Sequence, residues 1–370
     1  MRILFDARRS VHRVTGIGRI IDGLIKALAA ADGGHEYLVV YGEKNPLEGA
    51  TPSSRFEGRR IHLSLNSLRT NELMPQLARG FRADVAYFPF WLTPLRMPCP
   101  MVVAIHDLIH VHYPEELGWP RRLFYRGYLP LVLRAATRVH TLAAHGARDL
   151  AQECGVAASR IDVVSPGVDD AAERQDEPHD GRFEPGVPSP FCLYVGNHKP
   201  HKNLANLLRA YARISSRMES HLVIVGARSS SADPLSIPQA GLSRDLGLNE
   251  RVHFLGQIDD GRLWALLHAA RFLVLPSRYE GFGLPALEAM ARGTPVACSN
   301  TTSLPEVVGD AARMFDPEDV VAIAEAMLAL DRSSELRRDL AARGRIRATR
   351  FSWTRSAAAW LASLERACAP

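Results

Sequence analysis

Glu280 and Glu288 flank a Gly-Phe-Gly turn in the stretch LPSRYEGFGLPALEAMARGTPV, residues 275–296. Gly281 and Gly283 carry no side chain, so backbone N–H groups there can come close to a phosphate. Pro285 suits the first turn of a helix, and Gly293 sits where that helix should stop. Glu288 then falls about one turn inside the helix, pointing back toward the loop, with Glu280 on the entering strand end. Carboxylates so placed accept hydrogen bonds from paired hydroxyls, as on a ribose or hexose ring. Either glutamate alone reads as a cap or a surface residue. The two around one turn favour a ligand.

A second loop, YVGNHKPHKNL, leaves an apolar strand at Gly196, passes Asn197, and enters a helix near Asn203. Amides at a helix start attract an anion, and Lys202 adds a full charge beside them, with His198, Lys199 and His201 near in sequence. Taken alone, such a lysine is an ordinary surface residue; read with the Glu280 segment, it points to a ligand. In VVAIHDLIHVHYPEEL, His106 and Asp107 end a buried strand, where active-site residues of open sheets lie. His106, His110 and His112 lack the H-E-x-x-H pattern, so hydrogen-bonded structure is the expectation and no metal site is assigned. TGIGR places Gly16, Gly18 and Arg19 at the start of the first helix. It is not the dinucleotide fingerprint, because Ile21 stands where the third glycine would be.

Alternating strand and helix patterns position these loops. RILFDA, EYLVVYG, DVAYFPF and PMVVAIHD read as strands of a parallel α/β sheet. The pattern breaks in AAERQDEPHDGRFEPGVPSP and restarts with PFCLYVGN, SHLVIVGA, RVHFLG, RFLVLPS and PVACSN. The spacing predicts two doubly wound, Rossmann-like domains facing each other across a cleft: residues 1–170, a linker over 171–188, and residues 189–350. Residues 351–370 read as a helix packing back on the first domain.

At 370 residues, 46% hydrophobic and 23% charged, the chain fits a globular protein of two domains. No run of apolar residues is long enough to cross a membrane, and MRILFDARRS lacks the apolar core of a signal peptide. Cys99, Cys154, Cys192, Cys298 and Cys368 are odd in number and scattered, which fits reduced thiols in the cytoplasm. The net charge of +5 suits anionic partners. Arg121, Arg122, Arg126, Arg134 and Arg138 alternate with aromatics and leucines over 118–140. That stretch is either the solvated face of a core helix or a surface for acidic lipid headgroups or a lipid-diphosphate ligand. No nucleic-acid module accompanies it.

YEGFGLPALEAMARGTPV resembles the E-x7-E motif of the retaining nucleotide-sugar glycosyltransferase family 4, whose fold is GT-B. GNHKPHKNL, VHFLGQID, SLPEVVGDAA, FSWTRSA and TGIGR extend the resemblance over nearly the whole chain. The resemblance implies that Lys202 binds the donor diphosphate, and that Gly283 and Leu284 offer it backbone amides. It also implies that Glu288 holds the ribose hydroxyls, Glu280 the donor sugar, and Gln257 and Ile258 line the base. The implied donor set is Gly16, Gly18, Arg19, Gly196, Asn197, Lys202, Gln257, Ile258, Glu280, Gly281, Phe282, Gly283, Leu284 and Glu288. The implied catalytic residues are His106, Lys202 and Glu280, with no metal and no cofactor. Many relatives carry an arginine where this sequence has Asn197, which leaves the second diphosphate cation open.

The activity so implied is hexosyl transfer from a nucleoside-diphosphate sugar, with retention and without metal. GDP-mannose is the favoured donor in bacterial surface polysaccharide (lipopolysaccharide) synthesis, with a glycan or lipid-linked acceptor. The site of action would be the cytoplasm, with peripheral contact at the inner membrane face. The alternatives are a UDP-sugar-dependent glucosyl or N-acetylhexosaminyl transferase, a GT-B epimerase, or a non-catalytic partner that binds the nucleotide sugar.

Overall fold

The computed structural model describes residues 1–10, 16–31, 33–48, 54–63, 67, 69–168, 187–226 and 239–369. The linker expected over 171–188 lies outside the described residues except for 187 and 188, as does Thr15 of TGIGR. The chain forms two compact units, one of residues 1–169 with 351–370 and one of residues 170–350.

The first unit holds a parallel sheet of β1 (Arg2–Asp6), β2 (Glu36–Tyr41), β3 (Phe56–Arg60), β4 (Val85–Phe88), β5 (Met101–Ala104), β6 (Arg138–Thr141) and β7 (Ile161–Val163), in the order β3-β2-β1-β4-β5-β6-β7. Its central strands are buried from end to end, as the continuous apolar runs of β4 and β5 require when helices cover both faces. On one face Met74, Ala78, Leu129 and Val132, from the helices Thr70–Phe81 and Trp119–Ala135, pack on Leu4, Phe88 and Val103. On the other, the helix Gly16–Ala30 and the C-terminal helix Trp353–Cys368 cover Phe5, Tyr87 and Ala104. Trp360 is fully buried there, 5.6 Å from the Phe5 ring and 5.1 Å edge-on to Tyr87. Truncating such a residue costs roughly 3–5 kcal/mol, so Trp360 anchors this last helix to the first unit's sheet.

The second unit holds β8 (Phe191–Val195), β9 (His221–Val225), β10 (Val252–Gly256), β11 (Phe272–Leu275), β12 (Val296–Ser299) and β13 (Ala312–Phe315), also parallel, in the order β10-β9-β8-β11-β12-β13. In each sheet the winding direction reverses at the first strand, between β1 and β4 and between β8 and β11. Loops leaving those neighbouring strands diverge, and the crevice at their carboxyl ends is where such sheets bind ligands.

One interior group makes the first unit acid-sensitive. His140 on β6 is 2% exposed. Burial pushes its pKa down to about 3; Asp162 opposes the shift, and the charges of Arg138, His106 and Arg366 add to it. In the unfolded chain the ring titrates near its ordinary value of about 6.5. The unfolded state therefore takes the proton first. Stability is complete above that pH and is lost progressively as pH falls toward 3. The melting temperature should drop between pH 7 and pH 4, and less steeply in His140→Gln; an equal slope in both proteins contradicts the assignment.

Candidate functional site

The β8 and β11 exit loops meet at the second unit's reversal point. Lys202 Nζ lies 2.6 Å from Glu280 Oε1, and Ser277 Oγ donates to the same oxygen at 2.7 Å. The Lys202 and Glu280 side chains are only 17% and 9% exposed. Burial works against the Glu280 charge, but the Lys202 ammonium, the Ser277 hydroxyl and the His201 charge hold its carboxyl below the ordinary range. Both hydrogen bonds fall on Oε1, and among the described residues none falls on Oε2.

Backbone contacts fix this meeting. The Arg278 N–H donates to the His201 carbonyl at 2.8 Å, tying one loop to the other. Asn203, next to Lys202, adopts left-handed backbone (φ 57°), which asparagine tolerates better than most residues. Its buried Nδ2 donates to the carbonyls of Pro276 at 3.0 Å and Pro317 at 2.7 Å. Lys202 thus sits on a turn clamped to two strand exits. The Glu280 N–H donates to Thr302 Oγ1 at 3.1 Å, and Ser303 Oγ donates to the Glu280 carbonyl at 2.8 Å.

Past Glu280, Gly283 has φ 102°, and a Cβ there would lie 2.6 Å from the Leu304 side chain, so only glycine fits. It opens the helix Leu284–Ala291, whose first amides carry the positive end of the backbone dipole. Gly281 is half-buried and Phe282 is 3% exposed. Glu288 lies in that helix, 4% exposed. Gly196 follows β8, with Asn197 exposed beyond it. Gly226, after β9, approaches the Gly196 carbonyl so closely that a Cβ would fall 1.9 Å from it. Gln257 is exposed and Ile258 half-buried just past β10. This carboxyl edge combines bare backbone, the Lys202 ammonium, the buried Glu280 and Glu288 carboxylates and a helix start, a set suited to an anion joined to a polyol.

In the first unit Gly16 opens its helix, with Gly18 buried and Arg19 half-buried in the first turn. The three histidines of the HDLIHVH stretch go to different partners. His106 Nε2 lies 2.7 Å from the Pro89 carbonyl, the His110 ring meets Tyr125 edge-on at 5.3 Å, and His112 Nε2 lies 3.0 Å from Asp149. Among the described residues no three metal-capable side chains cluster. Asp107 caps its own loop, accepting from the Ile109 N–H at 3.1 Å. Burial holds the His106 pKa below its ordinary value, with the Pro89 bond and Asp107 opposing and Arg9 assisting.

Sequence reasoning passed over Arg9. Arg8 is fully engaged, with Nε and Nη2 on the two Asp6 oxygens at 2.8 and 2.7 Å and Nη1 on Thr70. Arg9 instead lies over the Phe90 ring at 3.5 Å, at the β1–β4 reversal point, the planar guanidinium stacked on the aromatic face. The doubled arginine in DARRS was the available signal. Arg138, read with the basic stretch, lies on β6 and pairs with Asp162 at 2.5 Å; it is not part of that surface.

Two family models match the chain, one described as Glycosyltransferase Family 4 over residues 14–172 and one as Glycosyl transferases group 1 over residues 179–347. The chain is 43% identical over 166 residues, 44% of its length, to O-antigen chain mannosyltransferase B of Escherichia coli, and the match spans 42% of that relative. It is 33% identical over 288 residues to MMP alpha-(1->4)-mannosyltransferase of Mycolicibacterium hassiacum, covering 74% of this chain and 67% of the relative. Among solved structures, sucrose-phosphate synthase from Thermosynechococcus elongatus matches with a TM-score of 0.77 at 23% identity, covering 99% of this chain and 98% of that one. That likeness identifies the fold as GT-B.

Removing one member of a buried ion pair strands the other. Lys202→Ala should therefore destabilise the second unit by about 3 kcal/mol, a loss of roughly 6–12 °C in melting temperature. The double variant Lys202→Ala/Glu280→Gln should recover much of it. Calorimetry showing the double variant as unstable as the single one would mean that the pair is not coupled.

Proposed function

The chain belongs to glycosyltransferase family 4, and from that premise we propose that it moves mannose from GDP-mannose to a glycan or lipid-linked acceptor, with retention at the anomeric carbon. The observation that carries this reading is the Lys202–Glu280 pair at the β8–β11 reversal point, beside the Gly283 helix start. A diphosphate leaving group gains negative charge as the glycosidic bond breaks, and fixed donors aimed at that charge lower the barrier. Lys202 supplies the ammonium, and the Gly283 and Leu284 amides supply dipoles. When the diphosphate arrives, Lys202 turns to it and Glu280 exchanges the ammonium for a sugar hydroxyl. Glu288 takes the ribose hydroxyls, and Gln257 with Ile258 lines the base. The leaving phosphate oxygen takes the acceptor's proton, so no protein base is assigned. Charge neutralisation is assigned to these groups without a metal or cofactor. Mannose is favoured because the O-antigen and MMP relatives are mannosyltransferases by name.

An acceptor at the cytoplasmic membrane face is part of this proposal, and the helix Trp119–Ala135 supports it. Trp119, Leu123, Phe124 and Leu131 are exposed there, Trp119 by 77%. Arg121, Arg122, Arg126 and Arg134 are exposed beside them, and the helix contains no acidic residue. Apolar side chains that enter the headgroup layer, ringed by arginines that meet anionic phosphates, describe an interfacial helix. Among the described residues no helix is long and apolar enough to cross a membrane.

Two measurements test this reading. In a thermal-shift panel GDP-mannose should protect, since a ligand at 100 times its Kd stabilises by roughly 2.7 kcal/mol, and turnover should survive a chelator. Protection by UDP-glucose or UDP-N-acetylglucosamine alone would reject mannose. Donor conversion without an acceptor would point to an epimerase, and binding without turnover to a non-catalytic partner. In flotation assays the protein should bind phosphatidylglycerol vesicles over phosphatidylcholine. Arg121→Ser/Arg122→Ser should weaken binding roughly thirtyfold, from about 1 kcal/mol per arginine; equal binding of variant and parent would remove the membrane role.

A further inference from the structure

His106 and His140 share a buried face of the first unit's sheet. Ala104 on β5 pairs with His140 on β6, and His106, two residues beyond Ala104, projects to the same side. Both residues line a cavity of about 20 Å³, together with Tyr87, Ser165, Trp353 and Ser356. In both rings Nδ1 is buried without a hydrogen-bond partner among the described residues.

The tautomers follow from the partners. The Pro89 carbonyl can only accept, so His106 Nε2, 2.7 Å away, carries the proton. His140 Nε2 lies 2.7 Å from Ser363 Oγ, and Ser363 Oγ lies 2.5 Å from Asp162 Oδ2. Asp162 also accepts from Arg138 and Arg366, at 2.9 and 2.7 Å. Burial alone would raise the Asp162 pKa, but these three bonds and the Arg138 charge hold it well below the carboxylate range. An ionised Asp162 can only accept, so the Ser363 hydroxyl donates its one hydrogen to Asp162, and Ser363 Oγ must accept from His140 Nε2. Each neutral ring is left with a bare lone pair on Nδ1, at one cavity. A buried acceptor without a donor costs about 1–3 kcal/mol, and one water needs roughly 10–15 Å³.

We infer that one buried water donates to Nδ1 of both His106 and His140, and that His140 and Ser363 are thereby positioning residues for His106. The line runs from Asp162 through Ser363, His140 and the water to His106 and the Pro89 carbonyl. It ties the C-terminal helix to the loops leaving β4 and β5. His106 contributes by holding the Pro89 carbonyl in place, since neither ring nitrogen is turned outward. The kinetic part of this inference rests on the glycosyltransferase reading; the water and the tautomers do not.

The test uses the full chain. A high-resolution crystal structure should show a water within hydrogen-bond distance of both Nδ1 atoms, and ¹⁵N NMR should show both rings as the Nε2–H tautomer. Ser363→Ala should shift the His106 ring nitrogen signals and lower kcat, by up to about a hundredfold for a misplacement of about 1 Å, with donor KM unchanged. A cavity without a water bonded to both rings overturns the inference, as does a His106 spectrum indifferent to Ser363→Ala. If the variant does not fold, the crystal structure of the parent decides. If no transferase activity is found, the water and the ring signals still decide.

Discussion

The second unit depends on keeping an ammonium and a carboxylate together where its sheet ends. Desolvating two charges is expensive, and apolar residues of like size would often stabilise as well or better. Stability therefore gives a poor account of why Lys202 and Glu280 are there. Their surroundings give a better one. Ser277 satisfies the carboxylate oxygen that Lys202 also holds, and Oε2 is left to a newcomer. An ion pair of this kind is a reserve of charge held in position. On the proposed reading, a diphosphate that draws the ammonium away would leave behind an acid able to grip a hydroxyl, and one rearrangement would answer both parts of a nucleotide sugar.

Strand order makes that pairing possible. Lys202 and Glu280 lie 78 positions apart, yet β8 and β11 are neighbours in the sheet, so their exit loops share one edge. The loops are then fixed mainly through backbone. The Asn203 amide holds two proline carbonyls, and the His201 carbonyl holds the Arg278 amide. Gly226, just after β9, lies against Gly196 with no side chain between them. Rigid positions with little steric bulk are what phosphate recognition by amides needs.

Much of this was legible in the sequence because it is local. Apolar runs located the strands, and the order of strands and helices gave two doubly wound sheets. The Gly-Phe-Gly turn with its proline and flanking glutamates marked the helix start that the structure places at Leu284. What could not be read is non-local. Nothing near Lys202 announces Glu280 as its partner rather than its neighbour in a list of ligands. Asn203 resembles any residue before a helix until Pro276 and Pro317 are seen beneath it. Arg8 and Arg9 are adjacent and chemically identical, and only the fold sends one to Asp6 and the other to Phe90. Arg138 likewise looked like part of a basic surface until Asp162 claimed it.

The first unit applies the same rule about buried polarity with neutral groups. Its sheet has His140 where an apolar residue would pack with less difficulty, and the cost is bearable only because Ser363 and Asp162 arrive on other elements to fix the ring. Ser363 stands 223 positions from His140 on a helix that enters this unit after the chain has built the other one. Trp360 would anchor that helix by burial alone, and burial is tolerant of small slips. A hydrogen-bonded line is not, because one residue of rotation along the helix would take the serine away from the ring. Apolar packing thus supplies the adhesion of the C-terminal helix, and the polar line supplies its register, which is how the position of His106 comes to depend on a residue near the far end of the chain.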